Sequence, residues 1–152
     1  MTKSEIVQKL GGIIDRVRTA ILATTGKNGI PDMRWVTPVI LKGRPNAIFM
    51  VTSPNSNKVK QIRDNPCVQW MFQTRPLDQI IMVEGKVNII DNPSIRSEVL
   101  EVVGPRLTAF WKINVDETDL LVLETVIENA TYYLSMKGKK EKVQFVREKK
   151  SG

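Results

Sequence analysis

The sequence predicts a mainly β protein with short helices: about six antiparallel strands that close, wholly or in part, into a barrel, with a helix at the N-terminus. Three observations point there. Short β-type runs rich in alternating apolar residues recur at 19–25, 33–41, 47–53, 67–74 and 79–90. Turn chemistry separates the early runs, above all Gly26-Lys27-Asn28-Gly29 and then Gly43 with Pro45. Helical periodicity is confined to three short segments. Many short strands with turns between neighbours favour a barrel.

The first helical segment covers residues 4–17. Ile6, Val7, Leu10, Ile13, Ile14 and Val17 fall on one stripe, and Thr2 with Glu5 has the spacing of a capping box. Gly11 and Gly12 weaken its middle, so irregularity is expected there. This helix would cover an open end or an edge of the barrel. The runs at 19–25, 33–41 and 47–53 read as an antiparallel meander, with Pro38 marking an edge or a bulge. A short helix follows at 57–64, with Val59 and Ile62 on its apolar face and Asn65-Pro66 as its stop. Gly85 inside the long run at 79–90 signals a bulge or a sharp bend. Pro93 suits the first position of a helix running to about Val103. Residues 105–112 are ambiguous and 116–119 read as a loop. Residues 120–127 and 130–136 are expected to pair as a hairpin across Glu128-Asn129, and 143–146 to add a short strand.

At 152 residues the chain is expected to be one domain, 1–152, with enough apolar content (41%) to bury a core without staples. The formal charge is +7, much of its excess lying in a basic tail at 137–152 that Glu141 and Glu148 interrupt. Such a run reads as a solvated, partly flexible tail, and the 6% aromatic content shows no stacking pair on one strand, so nucleic acid is not the expected partner. No apolar run is long enough for a membrane helix, and a cytoplasmic protein is the expectation. The single cysteine, Cys67, reads as a buried small hydrophobe in a strand and suits a reducing compartment. There is no histidine. That excludes Ser-His and Cys-His nucleophilic mechanisms and histidine-ligated haem, and no metal site is expected.

Two segments carry candidate chemistry. In the first, a strand ends at Thr52, a polar loop follows, and Ser56-Asn57-Lys58 opens a helix. Unpaired amides and the dipole at such a helix start suit a phosphate, with Thr52 and Ser56 as hydroxyl donors and Lys58 as the charge. The same residues equally describe an ordinary helix cap with a solvated lysine. In the second, Arg34 alternates with Trp35 in a strand, so the two face opposite sides. An arginine turned inward needs an anionic partner. Trp35 would pack either in the core or against a flat ring.

Taken together, the order and spacing resemble the flavin-binding split barrels related to pyridoxamine 5′-phosphate oxidase, and among them the smaller members similar to general stress protein 26. The residues that carry the resemblance are Gly29, Pro31, Arg34 and Val36; then Phe49, Thr52, Ser56 and Lys58; then Gln61, Ile62, Asn65, Pro66 and Val68; and finally Val83 and Gly85. It covers roughly residues 15–95. The resemblance implies an FMN-binding split β-barrel working as a homodimer, with the flavin at the subunit interface. It implies that Lys58 and Ser56 hold the FMN phosphate, that Arg34 reaches the phosphate or ribityl end, and that Thr52 adds a hydroxyl contact. The backbone of Trp35 and Val36 would line the isoalloxazine ring, Val51 would flank the ring or ribityl chain, and a partner chain would complete the site. Trp111 of the partner subunit is the candidate for that role, with a core or dimer-packing tryptophan as the alternative.

Two features depart from the oxidases. Asn57 stands where many of them carry an arginine before the phosphate lysine, and the chain lacks their C-terminal Arg-x-His element. The resemblance therefore implies an FMN-dependent oxidoreductase of a small molecule rather than an authentic pyridoxamine 5′-phosphate oxidase, with the catalytic residues unassigned. A flavin-binding stress-response protein without turnover is the alternative, and a deazaflavin or a tetrapyrrole-like ligand stays open.

Overall fold

The structure, a computed structural model, describes residues 1–104 and 120–146. Helix α1 (Lys3–Val17) starts at Thr2, whose hydroxyl accepts from the Glu5 amide and donates to the Glu5 carboxylate, each at 3.1 Å. Ile6, Leu10, Ile13 and Ile14 are buried along one side. The helix runs unbroken through Gly11 and Gly12, contrary to the expected irregularity. Both glycines lie over open space, and the buried stripe continues on either side of them. Arg18 then adopts a left-handed φ of 66° and donates its amide to the Ile14 carbonyl at 2.8 Å, which ends the helix.

Eight strands follow among the described residues: β1 (Ala20–Thr25), β2 (Pro31–Val36), β3 (Val39–Leu41), β4 (Arg44–Thr52), β5 (Cys67–Gln73), β6 (Gln79–Ile90), β7 (Leu121–Leu134) and β8 (Lys139–Gln144). Helix α2 (Asn57–Asp64) lies between β4 and β5, and α3 (Pro93–Val103) follows β6. The strands form one mainly antiparallel sheet, curled into a half-barrel, in the order β2-β1-β5-β6-β7-β4-β3, with β8 also pairing β7. No helix among the described residues is long and apolar enough to cross a membrane.

Three expectations about the strand pattern need correction. The early strands are not a meander. β1 pairs with β2 and β3 with β4, but β2 and β3 stand at opposite ends of the strand order. Thr37-Pro38 breaks the run, and Pro38 has no N–H to give a ladder. The expected hairpin at Glu128-Asn129 does not form either, because β7 is one continuous strand. Twelve-residue β6 supplies it with a partner along its length, and Glu128 is accommodated as a bulge opposite Glu84/Gly85. The first half of β7 pairs with β4 and the second half with β8. Within the basic tail, Lys139–Gln144 forms that strand β8, and the remainder past residue 146 lies outside the described residues.

The sheet has two cores. The main one lies on its inner face, where α1 meets Leu22, Trp70, Phe72, Ile81 and Val83. Contrary to the expectation of no stacking pair on one strand, the Trp70 and Phe72 rings of β5 stack at 5.5 Å, but both are buried and so offer no platform to a base; Trp70 Nε1 donates to Thr125 Oγ1 at 3.0 Å, so the buried indole keeps a partner. The second core puts Val99 and Val103 of α3 against Val39, Leu41, Phe49 and Val122. Over β2, β1, β5 and the start of β6, the outer face carries the cross-strand row Trp35, Ile21, Met71, Met82. Trp35 is 60% exposed there and Met33 beside it 73%. Cys67 is exposed rather than buried, because β5 turns Val68, Trp70 and Phe72 inward and Cys67 falls on the other parity.

Candidate functional site

The site forms where the Gly26 turn, the inner side of the β1–β2 hairpin, the end of β4 and the start of α2 converge. In the turn, Asn28 and Gly29 take φ values of 64° and 76°, which asparagine and glycine tolerate. The turn sets Leu22 opposite Arg34 and Thr24 opposite Asp32. Arg34 therefore shares the inner face with Leu22 and Thr24, while Trp35 faces out.

Arg34 is half-buried and held at several points. Its Nη1 donates to Thr24 Oγ1 at 2.7 Å, to the Asp32 carbonyl at 3.2 Å and to the Leu22 carbonyl at 3.3 Å; its Nη2 donates to Gln61 Oε1 at 3.3 Å. Burial lowers the Arg34 pKa from its ordinary value, and the nearby Asp32 charge opposes that shift.

The second half of the cluster comes from β4 and α2. Thr52, at 4% exposure, ends the strand with its hydroxyl turned toward the helix. Lys58 Nζ donates to Thr52 Oγ1 at 2.9 Å, and Ser56 Oγ lies 3.2 Å from the same oxygen. Ser56 occupies the N-cap position of α2, yet its side chain makes no capping hydrogen bond. Its hydroxyl faces Thr52 instead, so the plain capping reading does not hold. Lys58 is half-buried rather than solvated. Burial first, and the Arg34 charge second, push its pKa down from 10.5. Two cations thus sit close enough to oppose each other's charge, both partly out of water, and neither has an ion-pair partner among the described residues. Such an arrangement favours an anion.

Arg34, Thr52, Ser56 and Lys58 are the expected residues that converge. Asn57 is exposed and makes no side-chain bond among the described residues. Val36 is half-buried against the main core, two positions after Arg34 on β2, and Val51 is half-buried against the second core, one position before Thr52 on β4. Trp35 is not a core residue; it stands on the uncovered outer face. Trp111 lies outside the described residues. Sequence reasoning did not assign Thr24, Asp32 and Gln61 to the site. One signal was present: Ala20, Leu22 and Thr24 alternate inward, and a buried threonine in an apolar series needs a polar partner. A cleft of about 610 Å³ opens between the Gly26 turn and α2 and borders the cluster through Asp32, Asn57 and Gln61.

Comparison with known proteins agrees with this architecture. The family model described as pyridoxamine 5′-phosphate oxidase matches residues 6–134. A pyridoxine/pyridoxamine 5′-phosphate oxidase from Rippkaea orientalis is 39% identical over 66 residues, 43% of this chain. The match spans only 30% of the length of that curated relative. Among solved structures, a Clostridium acetobutylicum protein related to general stress protein 26 has a TM-score of 0.73 at 16% identity, covering 95% of this chain and 97% of its own. A haem-binding protein from Mycobacterium smegmatis has a TM-score of 0.70 at 15% identity, over 91% of this chain and 57% of its own. A FAD-binding protein from Mesorhizobium loti has a TM-score of 0.66 at 14% identity, over 82% of this chain and 91% of its own. At these identities the structural likeness establishes the split-barrel fold and nothing finer.

Proposed function

The chain belongs to the pyridoxamine 5′-phosphate oxidase family, and on that footing we propose that it binds FMN and serves as an oxidoreductase of a small molecule. One observation carries the reading. Arg34 and Lys58 form a partly desolvated cationic couple, without an ion pair among the described residues, beside the Thr52 and Ser56 hydroxyls at the start of α2. A phosphate monoester supplies the two negative charges and the acceptor oxygens that this couple lacks.

In this reading Lys58, Ser56, Thr52 and Arg34 hold the phosphate end, and the backbone of Trp35 and Val36, with Val51, lines the flavin. Asn57 in place of an arginine leaves one fewer cation at the phosphate than in many oxidases. The bound flavin supplies hydride or electron transfer, so the absence of histidine is no obstacle.

A homodimer with flavin at the subunit interface is part of the proposal. The apolar row Trp35, Ile21, Met71 and Met82, exposed at Trp35 and partly so at the other three, supports a second copy against this face, since apolar sheet surface of that kind is commonly covered. Trp111 of the partner subunit remains the candidate for completing the site. The exposed, unpaired Cys67 thiol suits a reducing compartment such as the cytoplasm.

The test is the visible absorption spectrum after adding FMN and desalting. Retained flavin, lost in Lys58→Ala and Arg34→Ala proteins that still fold, supports the site. No retention at micromolar protein, with the fold intact, overturns it. Retained flavin that no nicotinamide donor or other reductant turns over favours a flavin-binding protein without catalysis.

A further inference from the structure

Gln61 reaches from α2 to three residues of the β1–β2 hairpin. Its Nε2 donates to Asp32 Oδ2. Its Oε1 accepts from Thr24 Oγ1 and, at 3.3 Å, from Arg34 Nη2. An ionised carboxylate only accepts hydrogen bonds. Asp32 therefore dictates which end of the Gln61 amide faces it, and the oxygen is left facing Arg34 and Thr24. A flipped amide would set N–H against N–H.

The guanidinium has five N–H groups in a fixed plane. Nη1 spends both of its hydrogens on Thr24 and the two carbonyls, and Nη2 spends one on Gln61. The Nε–H and the neighbouring Nη2–H have no acceptor among the described residues. That edge is the side-on fork that meets two oxygens of a carboxylate or phosphate. The turn leaves room for this arrangement. A Cβ on Gly26 would stand 3.2 Å from Asp32 Oδ2, 3.4 Å from Gln61 Nε2 and 2.7 Å from the Ile30 carbonyl oxygen.

We propose that Asp32 and Gln61 are positioning residues for the anion site: by fixing the Gln61 amide they clamp Arg34 through its Nη1–Nη2 end and leave its Nε–Nη2 edge aimed at a phosphate. The proposal rests on the phosphate-binding reading above, and it adds a sign that reading alone does not give. Asp32 is a negative charge near an anion site. By Coulomb repulsion alone, removing it tightens a phosphate ligand. Through the clamp, removing it loosens one.

Asp32→Ala removes both charge and acceptor, whereas Asp32→Asn removes the charge and keeps an acceptor for Gln61. Two measurements separate the possibilities: flavin fluorescence titration with FMN and with riboflavin, and nitrogen NMR of the Arg34 guanidinium in flavin-free protein. The clamp predicts separate Nη1 and Nη2 signals in the parent protein, merged by free rotation in Asp32→Ala. It predicts about tenfold weaker FMN binding in Asp32→Ala, the size expected when a charged group loses one hydrogen-bonded support. Riboflavin affinity stays unchanged, and Asp32→Asn restores both readouts. Gln61→Met, which keeps the helix and the side-chain length, behaves like Asp32→Ala. Unchanged or tighter FMN binding in Asp32→Ala overturns the proposal, as do already merged Nη signals in the parent protein. Equal affinity of the parent protein for FMN and riboflavin would instead sink the phosphate reading, and the NMR arm alone would then decide the clamp.

Discussion

Replacing Gly85 with alanine puts a methyl carbon where β6 and β7 already touch. The new Cβ would stand 2.4 Å from the Val126 carbonyl oxygen and 2.7 Å from Thr125 Cγ2. Ordinary contact begins at 3.4 Å, so the strands must part by about 1 Å at this point. The nearer obstacle is backbone, which cannot swing aside as a side-chain tip would. Thr125 is 2% exposed and is held by Trp70, so it has no free rotamer to retreat to. Overpacking of this kind costs about 1–3 kcal/mol. In a chain of this size each kcal/mol lowers Tm by about 2–4 °C, so the expected drop is roughly 2–12 °C. Thermal unfolding followed by circular dichroism measures it, with chemical denaturation as a check that the slope is unchanged. A Tm within about 1 °C of the parent would refute the argument, because it would mean that the strands relax freely at the bulge.

Other expectations follow from the same structure. Thr125→Val keeps the shape but leaves the buried Trp70 Nε1–H without its acceptor, which should cost about 1–3 kcal/mol in urea unfolding. Lys58→Met should weaken FMN binding at least about tenfold while leaving stability at neutral pH equal or higher by up to about 1 kcal/mol, because solvent screens a half-buried charge. The pH dependence carries a definite sign. Folding lowers the Lys58 pKa below 10.5, so between the folded value and 10.5 the unfolded chain holds more protons and the Lys58 contribution to stability rises with pH. Below that window the penalty is constant, and Lys58→Met should abolish the rise within it; unfolding midpoints from neutral pH up to about pH 10.5 test this. Trp35→Glu puts a charge at the exposed end of the apolar row, on edge strand β2. Sedimentation should show the proposed dimer falling apart while the secondary structure is retained, and an unshifted dimer would place the interface elsewhere.

Much of the fold was legible because local chemistry and tertiary packing agree. The α1 stripe, the Asn28-Gly29 turn and the Asn65-Pro66 stop each state one conformation, and the structure has it. Strand connectivity was less legible. Thr37-Pro38 marks a break, but only the partners on either side decide that β2 and β3 travel to opposite ends of the sheet order. Likewise Glu128-Asn129 looks like a turn in isolation, and a long neighbouring strand converts it into a bulge. The site divides the same way. Ser56 and Lys58 are near in sequence and announce themselves as a motif. Thr24, Asp32 and Gln61 are remote from one another and meet only through the β1–β2 register and the approach of α2. Cys67 lies outside because the parity of β5, not the apolarity of its surroundings, decides which side chains turn inward.

The pairing of β4 with β7 also sets an order of events during synthesis. The partners run from Thr52 and Leu121 to Ala47 and Val126, a separation of roughly 70 to 80 residues. Until Leu121 has left the ribosome, the β3–β4 pair has an open edge and α2 has already begun the site beside it. The β1–β2 hairpin, by contrast, closes over a five-residue connection and can form at once. A growing chain therefore holds Arg34 and its clamp partners on β1–β2 well before Thr52 is fixed in the sheet. The time spent with that edge unpaired, rather than the stability of the finished sheet, is where this topology is most exposed to aggregation.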